Sequence, residues 1–364
     1  MTAPLLESWL ETHPDRAALT DEPVIKTPHS EEPWLAPTIF QTREYLMAYR
    51  RCFGVGKEFH RLHAEGGTAY LMTRGRTAKR LEWWGAGIHD IGGAGYSCAA
   101  TASALWERIE DCAMEHHATH LAQLPASCEL VRLAARSGWR VTDGEACPVL
   151  ALPPTWEAYV ASLGKNMREQ IKRYPKRLAK QYRVEYVLAK EPDEVQSALT
   201  DLFALHGKRW RARGQTGVLA TPKRQAFHRA VCLALAERDR LRLWTLRCDD
   251  QPACVLLNYV FNGRYYFFIG GFDPDMMRLS VGTCLFARVF QQAIAEGARE
   301  FDFLRGEEEY KYRFGAINRP YRNLAFFRDS PRGKMMRSRL HLEHAVKQGV
   351  QRAFSAAHRK PNES

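Results

Sequence analysis

The sequence predicts an α/β protein with mixed sheets, arranged as two similar halves and followed by a basic helix. Three observations carry that prediction. At 364 residues the chain exceeds what one compact core usually organises. Its second half spells β-α-α-β-β-β-α-β-(α)-β in its apolar periodicities. A looser copy of the latter part of that order precedes it.

Residues 1–32 hold several prolines and many charges without a sustained period, and read as a loosely ordered tail with one short helix near Leu5–Leu10. Globular sequence follows. Tyr70–Thr73 and Arg80–Trp84 read as strands, a helix is expected from about Ala102 to His117, and His120–Leu124 reads as the next strand. Leu152-Pro153-Pro154-Thr155 marks a boundary, because two prolines end a strand and Thr155 can cap a following helix. The expected domains are 33–152 and 153–330, with a basic helical tail over 331–364.

In the second half Val184–Leu188 is an expected strand. Helices follow over 193–213 and 222–238, the latter opened by Thr221-Pro222, a cap and a first-turn proline. Leu241–Cys248, Ala253–Phe261 and Arg264–Ile269 make three meandering strands, joined by Asp249-Asp250-Gln251 and by Asn262-Gly263, a strong tight-hairpin signal. A helix opening at Gly282 aligns Leu285, Val289, Phe290, Ala293 and Ile294 on one face and ends at Gly297. Phe301–Leu304 and Tyr321–Phe327 are the last strands. The pieces Ile91-Gly92-Gly93-Ala94-Gly95 and Ile269-Gly270-Gly271-Phe272-Asp273 resemble each other, which suggests a duplicated unit.

Lys and Arg number 53 against 41 acids, for a formal charge of +12, which favours anionic partners. The nine cysteines are odd in number and form no Cys-x-x-Cys pair, so buried thiols in a cytoplasmic protein are expected rather than a disulfide frame. Neither a signal peptide nor a membrane span is expected, and the histidines at 60, 63, 116, 117 and 120 lack companion ligands, so no metal is expected.

The helix start at Ser280-Val281-Gly282-Thr283 has a physical reason to bind phosphate. Its first N–H groups lack partners and carry partial positive charge, Gly282 admits a close ligand, and Arg278 stands just before it. Gly270, Gly271 and Asp273 would let a substrate lie along strand edges. His206 and Trp210 share a helix face suited to a substrate wall. The run of eight Lys and Arg over 165–183 reads as a solvated face or an anion-steering surface, in which Pro175 should kink or break a helix. The tail over Arg332–Arg359 suits packing as a terminal helix or peripheral contact with an acidic membrane.

The element order resembles that of the GNAT N-acyltransferase superfamily. The duplication and the segment Gly306-Glu307-Glu308-Glu309-Tyr310-Lys311-Tyr312-Arg313-Phe314-Gly315 resemble its tandem branch, the FemAB-like and CelD-type acetyltransferase-domain proteins. The resemblance implies a mixed, centrally splayed sheet in each half and transfer of an acyl group to an amine. It also implies a coenzyme A pyrophosphate loop at 278–283, where the family's Gln/Arg-x-x-Gly-x-Gly/Ala pattern retains only Gly282. Tyr310-Lys311-x-Arg313-Phe314-Gly315 resembles the Fem-type Phe-Lys-x-x-Phe-Gly ending, which implies that Lys311 steadies the donor oxyanion and Arg313 borders the substrate. Glu307 or Asp302 would then act as base and Tyr310 would protonate the leaving group.

Acyl-CoA is the expected co-substrate, with no permanently bound cofactor. The expected acceptor is an amine-bearing small molecule or envelope precursor, and nucleic acid is not an expected partner. The alternatives are a Fem-type transferase using aminoacyl-tRNA and a non-catalytic GNAT fold binding anionic partners.

Overall fold

The computed structural model describes residues 36–212, 214–340 and 342. The helix expected near Leu5–Leu10 and most of the basic tail, including its membrane contact, lie outside the described residues. Residues 331–340 are helical.

The elements are α1 (Arg43–Phe53), β1 (Glu58–Ala64), β2 (Gly67–Arg74), β3 (Arg80–Trp83), β4 (Gly95–Tyr96), α2 (Ala99–Met114), β5 (Ala118–Pro125), α3 (Glu129–Arg136), β6 (Arg140–Asp143) and β7 (Cys147–Ala151). There follow α4 (Trp156–Ser162), α5 (Lys165–Ala179), β8 (Val184–Ala189), α6 (Pro192–Arg211), α7 (Pro222–Ala236), β9 (Leu241–Cys248), β10 (Gln251–Phe261) and β11 (Arg264–Phe272). The last are α8 (Val281–Ala295), β12 (Glu300–Asp302), α9 (Glu309–Arg313), β13 (Ile317–Arg319) and β14 (Tyr321–Phe327).

Two compact units result. Among the described residues the larger comprises those up to Val55, Gly87–Ile91 and Glu145–Tyr321, and the smaller Gly56–Ala86, Gly92–Gly144 and those from Arg322 on. They are not the consecutive stretches expected from a cut at 152–153. The reason is strand pairing: β7 joins β12 and β13 in the larger unit's sheet, while β14 pairs with β6 in the smaller one's. The larger sheet runs β13-β7-β12-β11-β10-β9-β8, and the smaller runs β1-β2-β3-β5-β14-β6 with β4 paired to β2.

Local chemistry sets the larger sheet. Asp249 and Asp250 both take positive φ, as do Asn262 and Gly263, so each hairpin of the β9-β10-β11 meander closes through two left-handed residues, matching the twist of the strands it joins. Thr155 and Thr221 cap α4 and α7 by accepting from the Ala158 and Arg224 amides. The apolar stripe of α8 packs behind the sheet, where Phe286 and Phe290 meet Phe301, Phe303 and Phe314. Contrary to expectation, α5 runs through Pro175 without ending. Met167 and Ile171 before the proline and Leu178 after it are buried in the same core as α8, and this packing holds the helix together across the missing hydrogen bond.

Candidate active site

The larger unit's sheet opens at its centre. Strands β11 and β12 pair in parallel only at Arg264↔Glu300, Tyr265↔Phe301 and Tyr266↔Asp302. Beyond Tyr266, β11 continues to Phe272, and no strand takes up its β12-facing edge among the described residues. A bulge between Leu257 and Asn258 inserts Phe268 into β11 at the same level and turns the strand there. Past Asp302 the chain turns through Leu304, whose φ of 56° is a left-handed geometry that costs a branched residue free energy and persists only where its surroundings fix it.

Donor-side residues stand at the start of α8. Ser280 precedes it in the left-handed region (φ 55°) and makes no capping bond with its side chain. The first amides of this 15-residue helix therefore keep their donor capacity. A Cβ on Gly282 would meet nothing within 4 Å, so the surface there is open. Helix α5 brings the basic run alongside: Arg177 Nη2 donates to the Arg278 carbonyl at 2.7 Å, while the Arg278 side chain is exposed. Positive charge thus meets the positive end of the α8 dipole, an arrangement that suits phosphate.

Asp302 lies on the buried strand β12 and has no solvent exposure. Its Oδ1 accepts from the Leu304 amide at 2.8 Å, and Oδ2 has no hydrogen-bond partner; the nearest cation is Arg319 Nη1 at 4.0 Å. Burial outweighs the Leu304 bond and the Arg319 and Arg264 charges, and raises the carboxyl pKa to about 6. This group therefore ionises near neutrality and presents one free basic oxygen, as a proton acceptor requires.

Lys311 has a different environment from the one its motif suggests. It is 2% exposed, and Nζ donates to the carbonyls of Phe303 (3.1 Å), Arg305 (2.9 Å) and Gly306 (2.9 Å), with Glu308 Oε2 at 2.8 Å. An ammonium has three N–H donors, so these four acceptors use them all. Lys311 ties the turn after β12 together and has no donor left for an oxyanion. Glu307 is exposed and accepts from Tyr312 (3.3 Å) and Asn318 (3.0 Å) in a surface cluster. Tyr310 lies half-buried against Phe286 and Phe303, and burial raises its phenol far above the usual range. Arg313 is exposed.

The remaining expected wall residues answer to packing. A Cβ on Gly271 would lie 2.9 Å from the His206 amide, and one on Gly270 would lie 2.7 Å from Leu256. These glycines let α6 and the β10 side chains approach β11. Asp273 pairs with Lys208 Nζ at 2.6 Å. His206 is buried, its Nε2 accepts from the Trp210 indole at 2.8 Å, and burial lowers its pKa to about 4.

Sequence reasoning missed Arg305, His89 and Asp90. Arg305 Nε donates to Asp90 Oδ1 at 2.7 Å, its Nη2 donates to the His89 carbonyl at 2.9 Å, and Glu145 stands 3.5 Å away. The one sequence signal is the adjacent His-Asp pair immediately before the Ile91-Gly92-Gly93 piece. Among the described residues no group of three or more His, Cys, Asp or Glu is placed to hold a metal, and no helix is long and apolar enough to cross a membrane.

Residues 165–312 match the family model of the acetyltransferase (GNAT) domain. No curated protein matches the chain by sequence. Among solved structures, a crystal structure titled FemX aligns with a TM-score of 0.63 at 9% identity, covering 82% of this chain and 94% of its own. L-PGS from Bacillus licheniformis aligns with a TM-score of 0.56 at 12% identity, covering 83% and 96%. The C-terminal domain of a putative lysylphosphatidylglycerol synthetase from Agrobacterium fabrum aligns with a TM-score of 0.54 at 12% identity, covering 77% and 86%. At such identities these neighbours show a shared fold. The chain thus carries a match to the GNAT domain over 165–312 and, with its two mixed-sheet units, shares the fold of the FemX structure.

Proposed function

We propose that the protein is an N-acyltransferase that moves an acyl group from an acyl thioester, acyl-CoA, to an amine. The observation that carries this reading is the uncapped start of α8, open at Gly282 and flanked by the basic helix α5, beside the unpaired edge of β11. The donor's phosphates would bind the amides of Val281–Thr283, and its extended arm would run along the β11 edge from Phe267. Asp302, at the base of the opening, would take the proton of the attacking amine. In that step the nitrogen lone pair forms the new N–C bond and the C–S bond breaks. The proton passes through Asp302 and returns to the departing thiolate as the free thiol. The Lys311-bound turn holds Phe303 to Gly306 in place.

A second reading is favoured by the fold of FemX and of the lysylphosphatidylglycerol synthetase domain: transfer of an aminoacyl group from aminoacyl-tRNA. The basic helix α5 suits either polyanion. Thermal shift with acetyl-CoA, a longer acyl-CoA and aminoacyl-tRNA separates the readings, because a ligand of the native state raises its apparent stability. A rise of several degrees with an acyl-CoA, abolished in Gly282→Trp, is expected. A rise with tRNA alone would overturn the thioester donor.

A further inference from the structure

One face of the larger unit's sheet carries an ion triplet beside Asp302. Side chains two positions apart on a strand share a face, so Glu300 and Asp302 of β12 project from the same side. Register carries that side across the neighbouring strands. On β11, Arg264 pairs with Glu300 and Tyr266 with Asp302. On its other edge β12 pairs with β7, whose Cys147 is the partner of Arg319 on β13. Arg319 reaches back over β7 to β12. Its Nη2 donates to Glu300 Oε1 at 2.8 Å, and its Nη1 stops 4.0 Å from Asp302 Oδ2. From the opposite flank Arg264 Nε stands 2.6 Å from Glu300 Oε2. Glu300 thus engages two guanidinium groups, while Oδ2 of its buried neighbour accepts from neither.

An arginine within reach of two carboxylates pairs where desolvation costs less. The Glu300 and Arg319 side chains are 25% and 26% exposed, and Asp302 has no exposure, so the Glu300 pair keeps water on both partners. The other groups facing Asp302 compete little for it. The Asp90 charge, from the loop at 87–91, is matched by Arg305. Tyr266 of β11, Cys147 of β7 and Tyr321 of β14 also face it, and burial raises all three pKa values, which keeps them neutral. The position of Arg319 is therefore decisive. At contact distance it would favour the ionised carboxyl and weaken Asp302 as a proton acceptor.

We propose that Glu300 is a positioning residue, which clamps Arg319 and Arg264 away from Asp302 and so keeps that carboxylate free to take a proton. Its relevance to turnover rests on the reading above, in which Asp302 is the base of the acyl transfer.

The test titrates Asp302 by carboxyl ¹³C NMR in the full chain, its resonance assigned by loss in Asp302→Asn. Glu300→Gln keeps the side chain's shape and removes the charge that engages the arginines. The Asp302 midpoint should then fall by about one pH unit or more, since a cation released to contact favours the ionised form. Glu300→Asp, which keeps the charge, should stay near the native midpoint. Adding Arg319→Gln to Glu300→Gln should reverse the fall, which disturbed packing alone would not do. Arg319→Gln by itself should raise the midpoint, and tests the clamp without altering Glu300. The acidic limb of acetyl transfer from acetyl-CoA to benzylamine should move with the midpoint in each variant. A midpoint unmoved in both Glu300→Gln and Arg319→Gln would overturn the clamp and leave the base reading intact. So would a fall that persists in the double variant. A midpoint that moves while the limb stays would overturn Asp302 as the base and leave the clamp standing.

Discussion

Both units contain the same opening, and only one leaves it empty. In the larger, β11 and β12 pair over three residues and part. In the smaller, β3 and β5 also pair in parallel over three, Arg80↔Ala118, Leu81↔Thr119 and Glu82↔His120. There, however, the chain fills its own gap. The Gly92 amide donates to the Gln123 carbonyl at 2.9 Å, and a Cβ on Gly92 would lie 2.3 Å from the Ala122 carbonyl and 2.4 Å from the Trp83 ring. Only glycine can thread between those strands.

The helices beside the two openings differ in the same sense. In the smaller unit Cys98 and Thr101 close a reciprocal capping box at the start of α2, with the Cys98 amide donating to Thr101 Oγ1 at 2.9 Å. These contacts lower the Cys98 thiol pKa to about 7. In the larger unit Ser280 leaves the start of α8 uncapped. The two units present similar parallel strand pairs. One spends its free edge and free amides on internal bonds, and the other keeps both available. That contrast explains why a buried, half-partnered carboxylate is found at Asp302, whereas the paired position in the smaller unit's ladder, His120, is part-exposed.

The largest expected effect is at Asp302. Asp302→Asn should lower kcat/KM by about 10²–10⁴-fold, the usual contribution of a positioned base. It should also remove the acidic limb of the rate profile, which in the native protein rises as pH passes about 6. Stability should move the other way. The folded-state pKa is raised above the unfolded value of 3.8, so the native state binds this proton more tightly. The native protein therefore loses stability as pH climbs from about 4 to about 6, and carries the full penalty above that. Asn should remove it, so the Tm advantage of Asp302→Asn should appear at pH 7.5 and vanish at pH 4. A profile that keeps its acidic limb in the variant would assign the base elsewhere.

Lys311→Met should act mainly on folding. It strands the carbonyls of Phe303, Arg305 and Gly306 and should cost roughly 2–4 kcal/mol. Denaturant unfolding measures this directly. Loss of turnover with unchanged stability would restore Lys311 to the reaction as an oxyanion donor.

What the sequence made legible follows from the range of each interaction. The left-handed hairpin pairs, the Thr155 and Thr221 caps and the start of α8 depend on neighbours within four residues, and all were readable. The burial of Asp302 was not legible, because alternation with Phe301 and Phe303 ordinarily marks one solvated strand face. Strand β12 is covered on both faces, as strands beside a parallel partner commonly are, so alternation there carries no exposure signal. The burial of Lys311 was not legible, because its carbonyl partners lie in the turn at Phe303–Gly306, whose path no local pattern of the acidic run fixes. The pairing of Arg305 with Asp90 spans 215 positions, and no local pattern encodes it.

The smaller effects test the contrast between the two helix starts. Gly282→Trp should weaken acyl-CoA binding by about 10–100-fold, because it covers amides whose bonds to a charged phosphate contribute on the order of 1.5–3 kcal/mol. The fold should persist, since a side chain at 282 projects into open space. At the corresponding place in the smaller unit, Cys98→Ala removes one half of the capping box. It should cost about 1 kcal/mol of stability, the usual value of a lost cap. Acyl-CoA affinity should stay within about twofold of native. The two variants thus exchange phenotypes: one loses ligand and keeps its fold, and the other loses a little stability and keeps its ligand. If calorimetry found acyl-CoA affinity reduced in Cys98→Ala and intact in Gly282→Trp, the donor would belong to the smaller unit. The filled gap at Gly92 would then have to open to admit it.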